Sequence, residues 1–194
     1  MEIRNDKGQI KFVNVVDGEE KPAGEFGYLR GPCKWAKVLE ADQYGNFAVD
    51  VYASEEDREE FAKLVESISE EAKTLVEGLK KKVAGIADSV KEDGDGKQYI
   101  QFKRKEYKGP PKIYDKFGNE ASDWDKLVGN GSDVKIAYFL SPYYMASTKM
   151  VGVSCKFYAI QVIDLVEYEG GTGGNTGFGD ESGNDSGFAD GEEF

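Results

Sequence analysis

Between Gln98 and Tyr114 the chain reads QYIQFKRKEYKGPPKIY, five Lys/Arg against one acid, Glu106, with Lys97 and Lys116 at its borders. Tyr99, Phe102, Tyr107 and Tyr114 are interleaved with the cations. On a strand, side chains alternate between two faces. Tyr99, Gln101, Lys103, Lys105 and Tyr107 then share one face, and Ile100, Phe102 and Arg104 share the other. Ile100 and Phe102 can enter a core, leaving rings and ammonium groups outward. Rings stack on bases and cations neutralise phosphates, so the mixture suits a single-stranded nucleic acid. An ordinary solvated strand decorated with lysines has the same composition, and the stretch alone does not separate the two.

Other chemistries find little support. The 194 residues include no histidine, which removes the commonest general base and metal ligand together. No phosphate-cradling glycine loop and no nucleophile elbow is present. No pair of carboxylates is set in apolar surroundings at a spacing suited to acid–base work. No enzyme, cofactor or metal site is expected. Cys33 and Cys155 are too few for a disulfide scaffold or a thiolate metal site, and are read as reduced, packed thiols. With no long apolar run and no basic-then-apolar start, a cytoplasmic protein without a membrane span is expected.

The net charge of −12 is unevenly spread. Residues 96–166 hold eleven basic against seven acidic side chains, whereas 167–194 hold none against eight. The cationic surplus is confined to one segment.

The elements that must position these residues follow from hydrophobic period. A loose terminus is expected over Met1–Asp6, a strand over Gln9–Val16, and a polar loop over Glu19–Gly24. Glu25–Leu39 is strand-like with breaks at Gly27, Gly31 and Pro32. Within it Trp35 is either an outward stacking platform or a core residue, the second being commoner for a lone Trp. Phe47–Tyr52 alternates, with Asp50 and Tyr52 outward. From Ser54 to Val90 apolar residues recur at three- and four-residue steps, predicting a helix capped by Ser54, with Gly78 and Gly85 able to bend or divide it. After the basic strand come a loop over Asp115–Asn130, a strand over Val134–Leu140, an exposed aromatic loop at Ser141–Met145, and a long strand over Val151–Tyr168. In that last strand Lys156 and Tyr158 share one face. Three β segments, a helix and about three more β segments predict a mainly β fold, an OB-fold-like barrel of five to six strands with the helix between strands 3 and 4. An open α+β sandwich or a β-roll is the alternative.

Beyond Gly170 the composition collapses to Gly, Asp, Glu, Ser, Asn and Thr with one Ala, and Phe178, Phe188 and Phe194 are the only large side chains. Such a segment buries too little apolar surface to fold, so 1–168 is read as the domain and 169–194 as a disordered acidic tail. The closing Asp190, Glu192, Glu193 and Phe194 form a short motif suited to a basic, pocketed partner.

In Val128–Gly171 the Gly-rich turn, strand, Pro-Tyr loop and final strands come in the order of a known family. Together with the QYIQFKRKEY strand, the inserted helix and the terminal EEF, the chain resembles the single-stranded DNA-binding proteins of short-tailed phages, OB-folds with an acidic tail ending in Phe. The resemblance implies single-stranded DNA binding in replication, recombination and repair. It also implies a tail that contacts replication proteins such as polymerase or helicase-primase and limits access to DNA. The expected ligands are Lys103, Lys105, Lys112, Lys149 and Lys156 for phosphates, and Tyr99, Tyr107, Tyr143, Tyr158 and Trp35 for bases. An RNA-binding module and an adaptor acting through its tail are the alternatives, and a homodimer is as open as a monomer.

Overall fold

The structure, a computed structural model, describes residues 1–6 and 9–167; the predicted tail lies outside the described residues. In chain order the strands are β1 (Glu2–Asp6), β2 (Gln9–Val16), β3 (Glu19–Pro22), β4 (Glu25–Lys37) and β5 (Asn46–Val51). The helix α1 (Glu55–Gly78) follows, then β6 (Gly85–Ile86), β7 (Val90–Glu92), β8 (Gln98–Lys105), β9 (Lys112–Tyr114), β10 (Asp133–Met145) and β11 (Met150–Asp164).

Strands β4, β5, β8, β11 and β10 pair in that order, and β10 returns to β4. The closing pair between β8 and β11 is Lys103 beside Lys156. The chain is thus mainly β, a five-stranded OB-fold-like barrel with one long helix. Its core is filled by alternate residues of these strands, with Val49, Ile100, Phe102, Ile136, Leu140, Phe157 and Ile160 fully buried. The helix follows the three segments read as strands from the sequence, but the first of them, β2, stands outside the barrel in a small antiparallel sheet with β1 and β3.

Two segments expected to be irregular are strands. The presumed loose terminus forms β1 and the presumed loop contributes β3, each paired along one edge of β2. Phe12 of β2 is buried in a small apolar cluster, against which Ile10 and the Ile3 of β1 pack. The polar residues of the flanking strands are held by the backbone ladder and by Arg4, which bridges Glu2 and Glu20.

The presumed breaks in β4 are not breaks. A Cβ on Gly27 would lie 2.4 Å from the Tyr138 hydroxyl, and one on Gly31 would lie 2.7 Å from the Tyr52 carbonyl. These glycines make room for close neighbours inside a continuous strand.

The helix starts as predicted, with the Ser54 hydroxyl accepting from the Asp57 amide at 3.1 Å. It ends at Gly78, twelve residues before Val90, and Lys80 turns the chain at φ 58°. The residues beyond gain more by pairing, and Gly85–Ile86 runs parallel to Met150–Val151. Phe61 packs edge-on against Phe102 and Tyr138, so α1 plugs the barrel. Ala72 and Val76, further along, cluster with Phe12 and Ala23 and attach the small sheet.

The expected aromatic loop at Ser141–Met145 is the end of β10, paired with β11 up to Met145–Met150. The final strand stops at Asp164, short of Tyr168. Asp50, expected outward, is 8 % exposed under the Gln101 amide, which donates to it at 2.8 Å; burial raises its pKa. Both cysteines are free thiols, each pushed up by burial to about 12.

Candidate nucleic-acid interface

The register of β4, β10, β11 and their neighbours sorts the outer barrel surface into rows. Arg30, Lys135, Gln161 and Tyr114 are consecutive partners in one row, and Tyr28, Ala137, Ala159 and Lys112 in the next. Phe26, Phe139, Lys156 and Lys103 make the third. Between the first two, Leu29, Ile136, Ile160 and Ile113 point inward as a buried row. Cross-strand neighbours on one face lie close enough for their side chains to touch. The sheet therefore displays rings and cations side by side because its other face is the core.

A bulge sharpens this display. The pairing of β10 with β11 skips Tyr158, which lies between the partners of Ala137 and Tyr138. The extra residue thrusts its ring outward. Tyr158 meets Phe26 edge-on at 5.3 Å, and Phe26 lies 4.7 Å from Phe139. The Arg104 guanidinium sits 5.7 Å from the Tyr158 ring, and the Lys156 ammonium 5.4 Å from that of Phe139. Arg104 shares the strand face of Ile100 and Phe102, as the alternation predicts. At the barrel rim its guanidinium turns over Tyr158, donating to the Gly109 and Lys108 carbonyls at 2.7 Å each. Those carbonyls belong to the tight turn Glu106–Lys108 and its following glycine, so the turn holds the guanidinium in place.

Beside this cluster opens a cleft of about 470 Å³, lined by Lys103, Arg104, Lys105, Lys108 and Lys156 with Tyr107, Tyr158, Asn46, Ser154 and Phe157. None of the lining residues is acidic. Burial lowers the pKa of Lys156, and the nearby Lys108 lowers it further. Asp42 and Asp50 reach Lys103 from outside the lining, but among the described residues Lys156 has only the like charge of Lys108 near it, which an anion would relieve. A bound phosphate favours the charged ammonium, so the complex retains a proton that free Lys156 loses more readily. Affinity for an oligodeoxyadenylate is expected to fall as pH rises toward 10.5, the ordinary lysine value. Titrations across that range should show Lys156→Arg flattening the fall.

Of the expected ligands, Lys103, Lys105, Tyr107, Lys156 and Tyr158 meet around this cleft. The others lie elsewhere. Tyr99 stacks on Tyr52 at 5.5 Å, on the outer face of β5 and β8. That is the barrel face on which OB-folds commonly hold oligonucleotides. Its charge is already compensated here, because Asp93 accepts from Lys34 at 3.1 Å and from the Tyr52 hydroxyl at 2.9 Å. The Asp93 carboxylate is held well below its usual range, first by the Lys97 amide and then by these two groups. Lys112 is paired with Glu120 at 2.8 Å. Tyr143 lies over Gly152, and Lys149 occupies the β10–β11 turn at φ 57°. That turn is six residues along β11 from Lys156, roughly 20 Å at ~3.3 Å per residue. Trp35 is not a core residue: it is 66 % exposed at φ 55°, its amide donating to the Asn130 side chain at 2.9 Å.

Phe26, Tyr28, Lys108 and Lys135 belong to the surface without being singled out in sequence, and Phe139, 8 % exposed, lies beneath them as a backing ring. For β4 the signal was present. In FGYLRG a ring or cation alternates with Gly or Leu, the pattern of a strand with one crowded inner face.

The class this geometry defines is the closed OB-fold barrel bearing an aromatic and cationic outer face. Among solved structures, the single-stranded DNA-binding protein gp2.5 of bacteriophage T7 matches with a TM-score of 0.63 at 20% identity, over 83% of this chain and 98% of that one. The single-stranded DNA-binding protein of bacteriophage Enc34, in complex with single-stranded DNA, matches at 0.47 and 11% identity over 75% and 96%. The T7 likeness is one of fold. Neither a protein-family model nor a curated protein matches the chain.

Proposed function

We propose that the chain is a sequence-independent single-stranded DNA-binding protein serving phage DNA replication, recombination and repair. One observation carries this reading: a cleft with five cationic side chains and no acid in its lining opens directly beside the exposed rings of Phe26 and Tyr158, which the buried Phe139 backs. Phosphates take the cations and bases take the rings, and stacking tolerates any sequence because every base has a π-face. The fold shared with T7 gp2.5, named as a single-stranded DNA-binding protein, supports the same reading. In this proposal residues 169–194 are an acidic tail that competes for the cleft and engages replication proteins through Asp190, Glu192, Glu193 and Phe194. A tethered competitor acts at an effective concentration of order millimolar, so weak affinity suffices.

The test is fluorescence anisotropy of a labelled oligothymidylate titrated with the protein at several salt concentrations. Five phosphate contacts give a log–log salt slope of about −3.5, at ~0.7 per contact. A chain ending at Glu169 binds more tightly than the full chain at low salt. Absence of binding at low salt by either chain would end the proposal. Stronger displacement by matched RNA than by DNA would move it to the RNA-binding alternative.

A further inference from the structure

We infer that a second recess on the same face is a separate nucleobase site, which lengthens the footprint of one protein on the strand. It rests on the reading of this face as a single-strand surface. The recess, of about 260 Å³, is lined by Tyr28, Tyr114, Lys135, Ala137, Ala159 and Gln161, with Gly118 at its edge. Its floor exists because Ala137 and Ala159 are direct partners, so two methyl groups meet where larger side chains flank them on either side.

Tyr28 contributes a wall from β4 and is 69 % exposed. Tyr114 contributes the opposite wall from β9. A ring that exposed in the middle of a sheet row has no core role, and a flat base laid on the alanine floor would cover it. The Lys135 ammonium lies 5.0 Å from the Tyr28 ring and pairs with no carboxylate among the described residues. It is placed to meet a phosphate beside the stacked base.

Gln161 supplies the polar edge. Its amide nitrogen donates to the carbonyls of Asp115 at 3.2 Å and of Lys116 at 3.4 Å. Its oxygen has no partner among the described residues and is left as an acceptor. Every base carries at least one N–H donor on its edge or in its exocyclic group, so an acceptor here can serve any of the four bases once the strand is unpaired. From the Phe139–Lys156 row to the Lys135–Gln161 row is roughly 13 Å along the strands. A stacked strand rising ~3.4 Å per nucleotide crosses that in about four nucleotides, and a stretched one in fewer.

The experiment compares the full chain with two variants, Tyr28→Ala and the double substitution Ala137→Leu with Ala159→Leu, on oligothymidylates of increasing length. All three positions face outward, and thermal melting checks that the fold is kept. Wild-type affinity climbs with length until both recesses are covered. Each variant matches wild type on the shortest strands and then falls roughly five- to a hundred-and-fiftyfold behind on long ones, the range for one lost stacked base. If both variants follow the wild-type curve at every length, the recess is not a base site. Arg104→Ala, measured alongside, separates the failures: loss of binding in that variant leaves the main cleft standing, whereas unchanged binding removes the underlying reading as well.

Discussion

Replacing Lys103, Lys105 and Lys156 together by glutamine will weaken single-stranded DNA binding by about a hundredfold at 0.1 M salt and flatten the log–log salt slope by about 2. The magnitude follows from three phosphate contacts at ~0.7 each, counted over one decade of salt. The loss should vanish near 1 M, because what disappears is counterion release and not packing. Lys103 and Lys156 are direct partners where β8 closes the barrel on β11. Like charges directly opposite one another destabilise a sheet. Lys156→Gln alone, relieved of its burial cost and of the repulsion from Lys108, is therefore expected to melt at a higher temperature than wild type, opposite in sign to its effect on binding. Lys112→Gln is the control, since Glu120 already holds that ammonium, and it should leave the slope nearly unchanged. Anisotropy titrations at four or more salt concentrations read all of this. An unaltered slope in the triple variant would remove the lysines from phosphate binding.

How much of this was legible beforehand depends on the range of the interaction. Alternation along QYIQFKRK placed Ile100 and Phe102 in the core and Lys103 outside, because a period of two is local. The cap at Ser54 was legible for the same reason. The helix end was legible only in part: Gly78, read as able to divide the helix, is its last residue, but residues 79–90 keep helical spacing and are drawn out by pairing of Gly85–Ile86 with Met150–Val151 and of Val90 with Ile100. Tyr143 and Lys149 were assigned to the site on residue type. What separates them from Lys156 is the length of the β10–β11 hairpin, a distance along paired strands that no local pattern reports. Tyr99 illustrates a different limit. Its outward direction was read correctly, yet the face it joins is neutralised by Asp93, which reaches it from beyond β7. Phe26 and Tyr28 were missed because Gly27 and Gly31 look like breaks until Tyr138 and Tyr52 are known to fill the space beside them.

Tyr158→Ala should cost ~1–3 kcal/mol of binding, a factor of roughly five to a hundred and fifty, and leave the salt slope where it is. Tyr158 is the skipped residue of the bulge, so no other ring on β11 can take its place. Removing it takes away one stacking surface, the edge contact to Phe26 at 5.3 Å, and the platform beneath Arg104. Arg104 itself is held by the turn carbonyls and should keep its position, so the charge in the cleft survives the substitution. That is why affinity and salt dependence are expected to separate. The Tyr158 hydroxyl makes no hydrogen bond among the described residues, and Tyr158→Phe should therefore bind close to wild type. Because Phe26 and Tyr158 touch, the losses of Phe26→Ala and Tyr158→Ala should not add, with a coupling of about 0.5 kcal/mol or more in a double-mutant cycle. Strict additivity would mean that the two rings serve separate bases and not one continuous platform. A changed slope in Tyr158→Ala would show that Arg104 depends on the ring for its position, making the residue part of the phosphate site.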